Sequence, residues 1–248
     1  MKQGIDVSVH NGAIDWQKVK ASGQADFCII RAGYGRVITQ KDRKFEANYE
    51  GCKAKDIPCG AYWYSYAKTV DEARQEAEAC ITILRGKQFE YPIFFDVEEK
   101  ATLNTGKSNC SAMIRAFCET LENAGYWVGL YVSRSVLQTY VEDDIRKRYS
   151  IWAAEWGSKL NYSGEVGMWQ KTDKGKVAGI SGAVDLDECY VDYPVVVKAA
   201  GKNGYPKPAE QAADAAEPAG NDREGVSDAL QGVLEIGGKR YEVTLIEM

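Results

Sequence analysis

Two carboxylates stand one residue apart in Asp96-Val97-Glu98, at the end of the apolar run Tyr91-Pro92-Ile93-Phe94-Phe95. Side chains on a strand alternate faces, so positions 96 and 98 point the same way, with Cα atoms about 6.5–7 Å apart. Phe94 shares that face further back, and a strand with large apolar groups on both faces reads as a buried parallel strand. Acids at the end of such a strand are costly to bury, and paired carboxylates are what acid/base cleavage of a glycosidic bond requires. The plainer alternative is that Asp96 caps a following helix while Glu98 forms a surface ion pair. Two more acids bear on the choice. Asp6 ends the first apolar strand, in Gly4-Ile5-Asp6-Val7-Ser8, and Asp185 sits in the last, in Gly182-Ala183-Val184-Asp185-Leu186-Asp187. Acids this far apart in sequence meet only if the strands close into one barrel, whose C-terminal strand ends then build the site.

The elements that must position them follow from the apolar pattern. Strand-like segments recur at 4–8, 26–32, 59–66, 92–98, 127–133, 151–154, 167–170 and 183–186. Helical periods fall between the early ones, at 14–22, 43–55, 70–84, 108–123 and 135–148. Such alternation implies parallel strands joined by right-handed helical crossovers. After Tyr149 the helical pattern stops and short Gly-rich turns join the last strands, so antiparallel pairs are expected there. The fold class is α/β, an irregular TIM-like barrel of about five strand-helix units plus three bare strands. This body occupies 1–198. From 199 to 225 the composition turns to Ala, Gly, Pro, Lys and Glu and reads as a linker. The tail 226–248 reads as a small C-terminal β-hairpin, because Gly232 to Ile246 alternates apolar and polar residues around Gly237-Gly238. A lone hairpin is marginal in water, so it must pair with another copy in self-association, dock on the barrel, or be the remnant of a longer module.

Composition removes several chemistries. His10 is the only histidine, and the seven cysteines contain no Cys-x-x-Cys pair, so no metal site is expected. A Ser-His-acid or Cys-His system would depend on His10, in the polar turn Ser8-Val9-His10-Asn11-Gly12. Carboxylates are left as the proton-transfer groups. Gly33-Tyr34-Gly35 lacks the third glycine and the Lys-Ser/Thr of a phosphate cradle, and no cofactor is expected. The formal charge of −5 is uneven: 209–248 carries nine acids and three bases, leaving the first 208 residues at net +1. No basic face points to nucleic acid. The cysteines at 28, 80, 110 and 118 sit in apolar stretches and read as free core residues of a reducing compartment. Neither a leader nor an apolar run of about 20 residues is seen, so cytoplasmic synthesis without membrane insertion is expected, with action after release.

Aromatic residues suit a sugar site, since flat rings meet the C–H faces of pyranoses while phenol and indole hydrogens meet hydroxyl and acetamido groups. Tyr62, Tyr64 and Tyr66 alternate onto one face, and Tyr62, Tyr64, Tyr131 and Trp169 are assigned to sugar contact. Trp16, Trp127 and Phe94 are assigned to packing. Arg31, at the end of the second strand, binds a substrate carboxylate or pairs with Asp6. The charged run 71–78 reads as a solvated helix face. Around Glu98, the charges of Asp6, Asp96 and Asp185 would raise its pKa toward that of a general acid.

With these residues assembled, the chain resembles glycoside hydrolase family 25, the Chalaropsis-type lysozymes of phage endolysins and bacterial muramidases. The likeness runs from Gly4 to Tyr193 through Gly4-Ile5-Asp6-Val7-Ser8, Ile29-Ile30-Arg31-Ala32-Gly33, Gly60-Ala61-Tyr62-Trp63-Tyr64, Phe95-Asp96-Val97-Glu98, Gly129-Leu130-Tyr131-Val132-Ser133, Ile151-Trp152-Ala153-Ala154 and Met168-Trp169-Gln170. It implies hydrolysis of the β-1,4 bond from N-acetylmuramic acid to N-acetylglucosamine in bacterial peptidoglycan, with Glu98 as general acid and Asp96, Asp6 and Asp185 as the other acidic positions. Asp96 would then face the developing oxocarbenium charge or orient the substrate's N-acetyl group. Trp63 stands where many members carry His, Asp187 where Asn is frequent, and Trp156 where Tyr is common. The competing expectations are another barrel hexosaminidase of chitin type and a non-catalytic wall-binding module.

Overall fold

A single closed barrel of eight strands organises the computed structural model of the chain, which describes residues 1–207, 230–236 and 239–245. The strands are β1 (Lys2–Val7), β2 (Phe27–Tyr34), β3 (Cys59–Tyr64), β4 (Ile93–Asp96), β5 (Val128–Ser133), β6 (Ser150–Ala154), β7 (Met168–Gly175) and β8 (Val184–Cys189), in that order around the wall. Pairing is parallel from β1 through β7, and β8 runs antiparallel to both β7 and β1. Outside lie α1 (Trp16–Ser22), α2 (Phe45–Ala54), α3 (Val70–Leu84), α4 (Lys100–Leu103), α5 (Lys107–Asn123), α6 (Arg134–Tyr140) and α7 (Asp143–Arg148). The expected five strand-helix units and three further strands are all present.

Strand alternation separates two cores. Cys28, Ile30 and Ala32 of β2 face the helices in the larger cluster, while Phe27 and Ile29 face the interior with Phe94, Tyr131, Trp152 and Met168. Each large side chain so buried contributes roughly 1.5–3 kcal/mol. Two glycines make room inside: a Cβ at Gly4 would lie 2.2 Å from the Phe27 ring, and one at Gly129 would lie 2.5 Å from Phe94. The interior is therefore filled at its lower end, and polar groups are confined to the upper end. Local caps fit the sequence: Asp15 accepts from the Lys18 N–H to start α1, and Thr69 accepts from the Glu72 N–H to start α3.

Several expectations are corrected. The expected antiparallel pairs are those of β8 with β7 and β1, whereas β6 and β7 are parallel, so the chain crosses over through residues 155–167 without a helix where a short turn was expected. Helix also returns after Tyr149: α8 (Tyr193–Ala199) closes the lower end, with Tyr193 and Val197 in the interior cluster. Residues 200–205, read as linker, stay on the barrel. Asn203 is fully buried, donating to the Tyr91 carbonyl (2.8 Å) and accepting from the Trp127 N–H (2.7 Å). Glu76, read as part of a solvated face, is fully buried in the stripe Ala73, Ala77, Cys80 and Leu84 of α3. It accepts from the Ser65 hydroxyl (2.7 Å) and the Tyr66 N–H (2.8 Å), and burial pushes its carboxyl up to about 7.

All seven cysteines are free and buried, and no helix among the described residues is long and apolar enough to cross a membrane. The C-terminal unit contains β9 (Leu230–Ile236) and β10 (Lys239–Leu245), paired antiparallel from Leu230 opposite Leu245 to Ile236 opposite Lys239. Gly237 and Gly238 fall outside the described residues.

Candidate active site

At the upper end the inward-facing positions of neighbouring strands converge. Asp6 of β1 lies directly opposite Asp185 of β8, and Asp187 lies opposite Gln170 of β7. Asp96 ends β4 between Tyr64 of β3 and Tyr131 of β5. The three distant acid segments thus meet in one site. Asp96 does not cap the next helix, because Glu99 does so, accepting from the Ala101 N–H.

Hydrogen bonds bind most of this cluster into a frame. The Gln170 amide donates to Asp6 Oδ2 (2.8 Å), while its carbonyl oxygen accepts from the Tyr131 hydroxyl (3.0 Å) and the Trp156 indole N–H (3.2 Å). The Trp152 indole donates to Asp187 Oδ1 (2.8 Å), and Asp187 lies close enough to Asp6 for their carboxylate charges to repel. Two oxygens are left out. Asp96 Oδ1 and Asp187 Oδ2 are buried with no fixed N–H or O–H donor among the described residues.

Charge repulsion and burial act together on these groups. Burial, then the charges of Asp187 and Asp185, holds Asp6 well above the usual carboxylate range, although the Gln170 hydrogen bond opposes this. Asp187 is pushed up by burial and by Asp185. Asp185, half-buried, is raised to about 6 by burial and the charge of Asp173. Asp96 is driven up by burial and by Glu98, with Arg31 opposing. Glu98 differs in kind. Its side chain is exposed at the cleft and accepts no hydrogen bond from the described residues, yet surrounding protein, Asp185 and Glu99 still push its carboxyl up. The strongest push falls on Asp96 rather than on Glu98, because Asp96 is only 3% exposed.

The aromatic assignments divide. Tyr62 and Tyr64 are half-buried on the interior face, and Tyr64 donates to Glu99 (3.2 Å). Tyr131 is 9% exposed and its hydroxyl is engaged by Gln170, so it serves the acid frame first. Trp169 is corrected: Gln170 faces inward, so Trp169 faces outward, where it is 5% exposed and donates to the Glu155 carbonyl (2.7 Å). Trp16, Trp127 and Phe94 pack as expected. Arg31 is also corrected, since its partner is Asp42 (2.7 Å) and not Asp6. Sequence reading missed Gln170 as the hub and Asp42 as the partner of Arg31. It had a signal for the first, because Met168 and Gln170 share strand parity with the interior. Among the described residues no group of three or more His, Cys, Asp or Glu side chains is arranged to hold a metal ion.

A family model described as glycosyl hydrolases family 25 matches residues 5–180, from within β1 through β7 and α1 through α7. The chain belongs to that family. It is 31% identical over 187 residues to the autolytic lysozyme of Clostridium acetobutylicum, covering 75% of this chain and 55% of that protein. Among solved structures it is similar to the modular autolysin LytC from Streptococcus pneumoniae, with a TM-score of 0.69 and 31% identity over 76% of this chain and 46% of that one. The chain thus spans about half the length of these two relatives. A bacterial lysozyme from Streptomyces coelicolor shares the fold, with a TM-score of 0.70 at 23% identity over 80% of this chain and 96% of that one.

In this family 25 barrel, Asp187→Asn is expected to stabilise. The amide oxygen keeps the Trp152 bond and its N–H₂ meets Asp6, replacing a buried acceptor that lacks a donor, a gain of about 1–3 kcal/mol. Because the folded pKa of Asp187 is raised, its favourable contribution is complete in acid and is lost as pH rises through the folded value. The Asn variant should therefore melt close to the parent near pH 4 and well above it near pH 8. Melting curves showing the same gap at both pH values would count against a shared proton at Asp6 and Asp187.

Proposed function

We propose that this chain is a peptidoglycan hydrolase, an N-acetylmuramidase cleaving the β-1,4 bond between N-acetylmuramic acid and N-acetylglucosamine. The observation that carries this reading is the convergence of Asp6, Asp96 and Asp185 from three strands beside a solvent-open Glu98. Family membership and the lysozyme and autolysin names of the relatives support it, as does the synthetic peptidoglycan ligand in the LytC structure.

In this reading Glu98 is the general acid. It reaches solvent, so a glycosidic oxygen can approach it, and its raised pKa keeps the proton available nearer neutrality. Asp96 lies within range of the Glu98 charge, and one of its oxygens is buried without a donor. Burial and the charge of Glu98 push the Asp96 carboxyl up, which makes its anion harder to form and weakens it as a nucleophile. That favours Asp96 orienting the substrate's acetamido group, whose own oxygen attacks the anomeric carbon, an arrangement the two-carboxylate scheme admits. Asp6 and Asp185, with Gln170 and Asp187 behind them, hold the geometry and the field, and Tyr62 and Tyr64 supply the sugar contacts.

The test is loss of turbidity by purified peptidoglycan alongside chitin oligosaccharides. Clearing of the walls with the chitin oligosaccharides left intact is expected. Cleavage of chitin oligosaccharides at a comparable rate would favour the chitin-type hexosaminidase, and binding of walls without clearing would favour the non-catalytic module.

A further inference from the structure

Beside the acids, a second arm of the cleft has the opposite character. It is a space of about 710 Å³ over the upper ends of β1, β2 and β3, lined by His10, Arg31, Lys41 and Arg43 and walled by Tyr34, Tyr64 and Tyr66. That volume lies in the range of sites that enclose a drug-sized ligand, and it is far larger than a single carboxylate needs. Tyr66 stands at 5.0 Å from Tyr64 and 6.0 Å from Tyr34, ring centre to ring centre, so the aromatic wall is continuous.

Its charge is not neutralised from within. Among the described residues Asp42 is the one carboxylate lining the arm, and it is 2% exposed. Its oxygens already accept from Arg31 Nε (2.7 Å), the Val9 N–H (3.0 Å) and the Lys44 N–H (2.8 Å). Lys41 meets Glu46 at 3.2 Å, but both side chains are about 40% exposed, where ion pairs are weak. Arg43 is exposed and has no carboxylate partner among the described residues. The arm is therefore a positive recess next to a cluster of acids. Arg31 and Tyr64 belong to both: the Arg31 charge is felt by Asp96 and Tyr62, and Tyr64 pairs with Asp96 across the sheet. Tyr64 also feels the Glu98 charge, so the arm adjoins the proposed proton donor.

We infer that this arm is a subsite for a carboxylate carried on the peptide stem of the substrate, so that the enzyme prefers stem-bearing glycan to the bare chain. This rests on the peptidoglycan reading above and deepens it. A neutral hexosamine polymer gains nothing from Lys41 and Arg43, whereas a peptide joined through the lactyl group brings both bulk and free carboxylates. Lys41 and Arg43 supply charge-assisted hydrogen bonds to such a group, and the tyrosines cover the peptide backbone.

The test compares the parent with a Lys41→Gln, Arg43→Gln double variant on three soluble substrates: stem-bearing glycan, the same glycan stripped of its peptides, which leaves a free lactyl carboxylate, and chitin oligosaccharide. On stem-bearing glycan the variant should raise KM about tenfold with kcat retained. On stripped glycan the variant and the parent should agree. An equal loss on stem-bearing and stripped glycan would assign the arm to the lactyl carboxylate and overturn the proposal, as would no loss on either. Calorimetric binding of a stem-bearing disaccharide needs no turnover. Parent binding that weakens with salt and with the double variant is expected even if hydrolysis fails, so failure of the muramidase reading remains distinct. Absence of salt-sensitive binding would overturn this proposal by itself.

Discussion

Replacing Glu98 with Gln is expected to lower turnover on purified peptidoglycan by about 10²–10⁴-fold, the range supplied by one positioned proton donor. The substitution is close to isosteric, and Glu98 accepts no hydrogen bond from the described residues, so no structure is lost with the charge. Melting temperature and wall binding should stay at parent values, because an exposed change of this kind falls within about 0.5 kcal/mol. The pH profile carries independent information. A general acid must be protonated, so the parent rate should fall as pH rises through the pKa of Glu98, and that limb should lie above the ordinary glutamate range. A variant retaining a large part of parental turnover would remove Glu98 from the chemistry. A variant that melts early would mean that Glu98 supports the fold instead.

Trp152→Ala should cost about 3–5 kcal/mol, the range for truncating a large buried aromatic. Trp152 is 1% exposed in the barrel interior, edge-on to Tyr131 at 4.4 Å and Phe94 at 5.1 Å between ring centres. In a body of about 200 residues, each kcal/mol moves the melting point by about 2–4 °C, so a fall on the order of 10 °C is expected. Trp152→Phe separates the hydrogen bond from the packing. It keeps most of the ring but deletes the N–H that Asp187 accepts, leaving a second buried oxygen of that residue unsatisfied, for about 1–3 kcal/mol. Since that N–H lowers the pKa of Asp187, its loss raises the folded value further. The penalty of the Phe variant should therefore be small near pH 4 and grow as pH rises. A Phe variant equally destabilised at both ends would show that cavity and shape dominate.

The acids were legible because their positions obey simple rules. A carboxylate at the end of an apolar strand, on the same parity as large interior residues, has to face the barrel mouth, and Asp6, Asp96 and Asp185 all do. Parity also held the answer for Trp169. Its neighbours Met168 and Gln170 face inward, and aromatic type was allowed to outweigh alternation. Glu76 is similar, since the stripe of Ala73, Ala77, Cys80 and Leu84 passes through it, and only its charge suggested solvent. Other features lay beyond local pattern. The Arg31 and Asp42 pair depends on a loop bringing residues 11 apart in sequence together. The buried Asn203 sits in a polar, Gly-rich stretch, and its burial follows from unsatisfied backbone groups at Tyr91 and Trp127 that composition does not reveal. The parallel β6 and β7 without a helix broke the expectation that parallel neighbours need a helical crossover, because the 13 residues of 155–167 suffice in irregular form.

The most direct measurement is the identity of the sugar released at new chain ends. Purified peptidoglycan digested with the protein and then reduced with borohydride should yield the alditol of N-acetylmuramic acid, and the Glu98→Gln digest should yield almost none. Recovery of the N-acetylglucosamine alditol from the parent digest, or equal yields from parent and variant, would contradict a Glu98-driven muramidase.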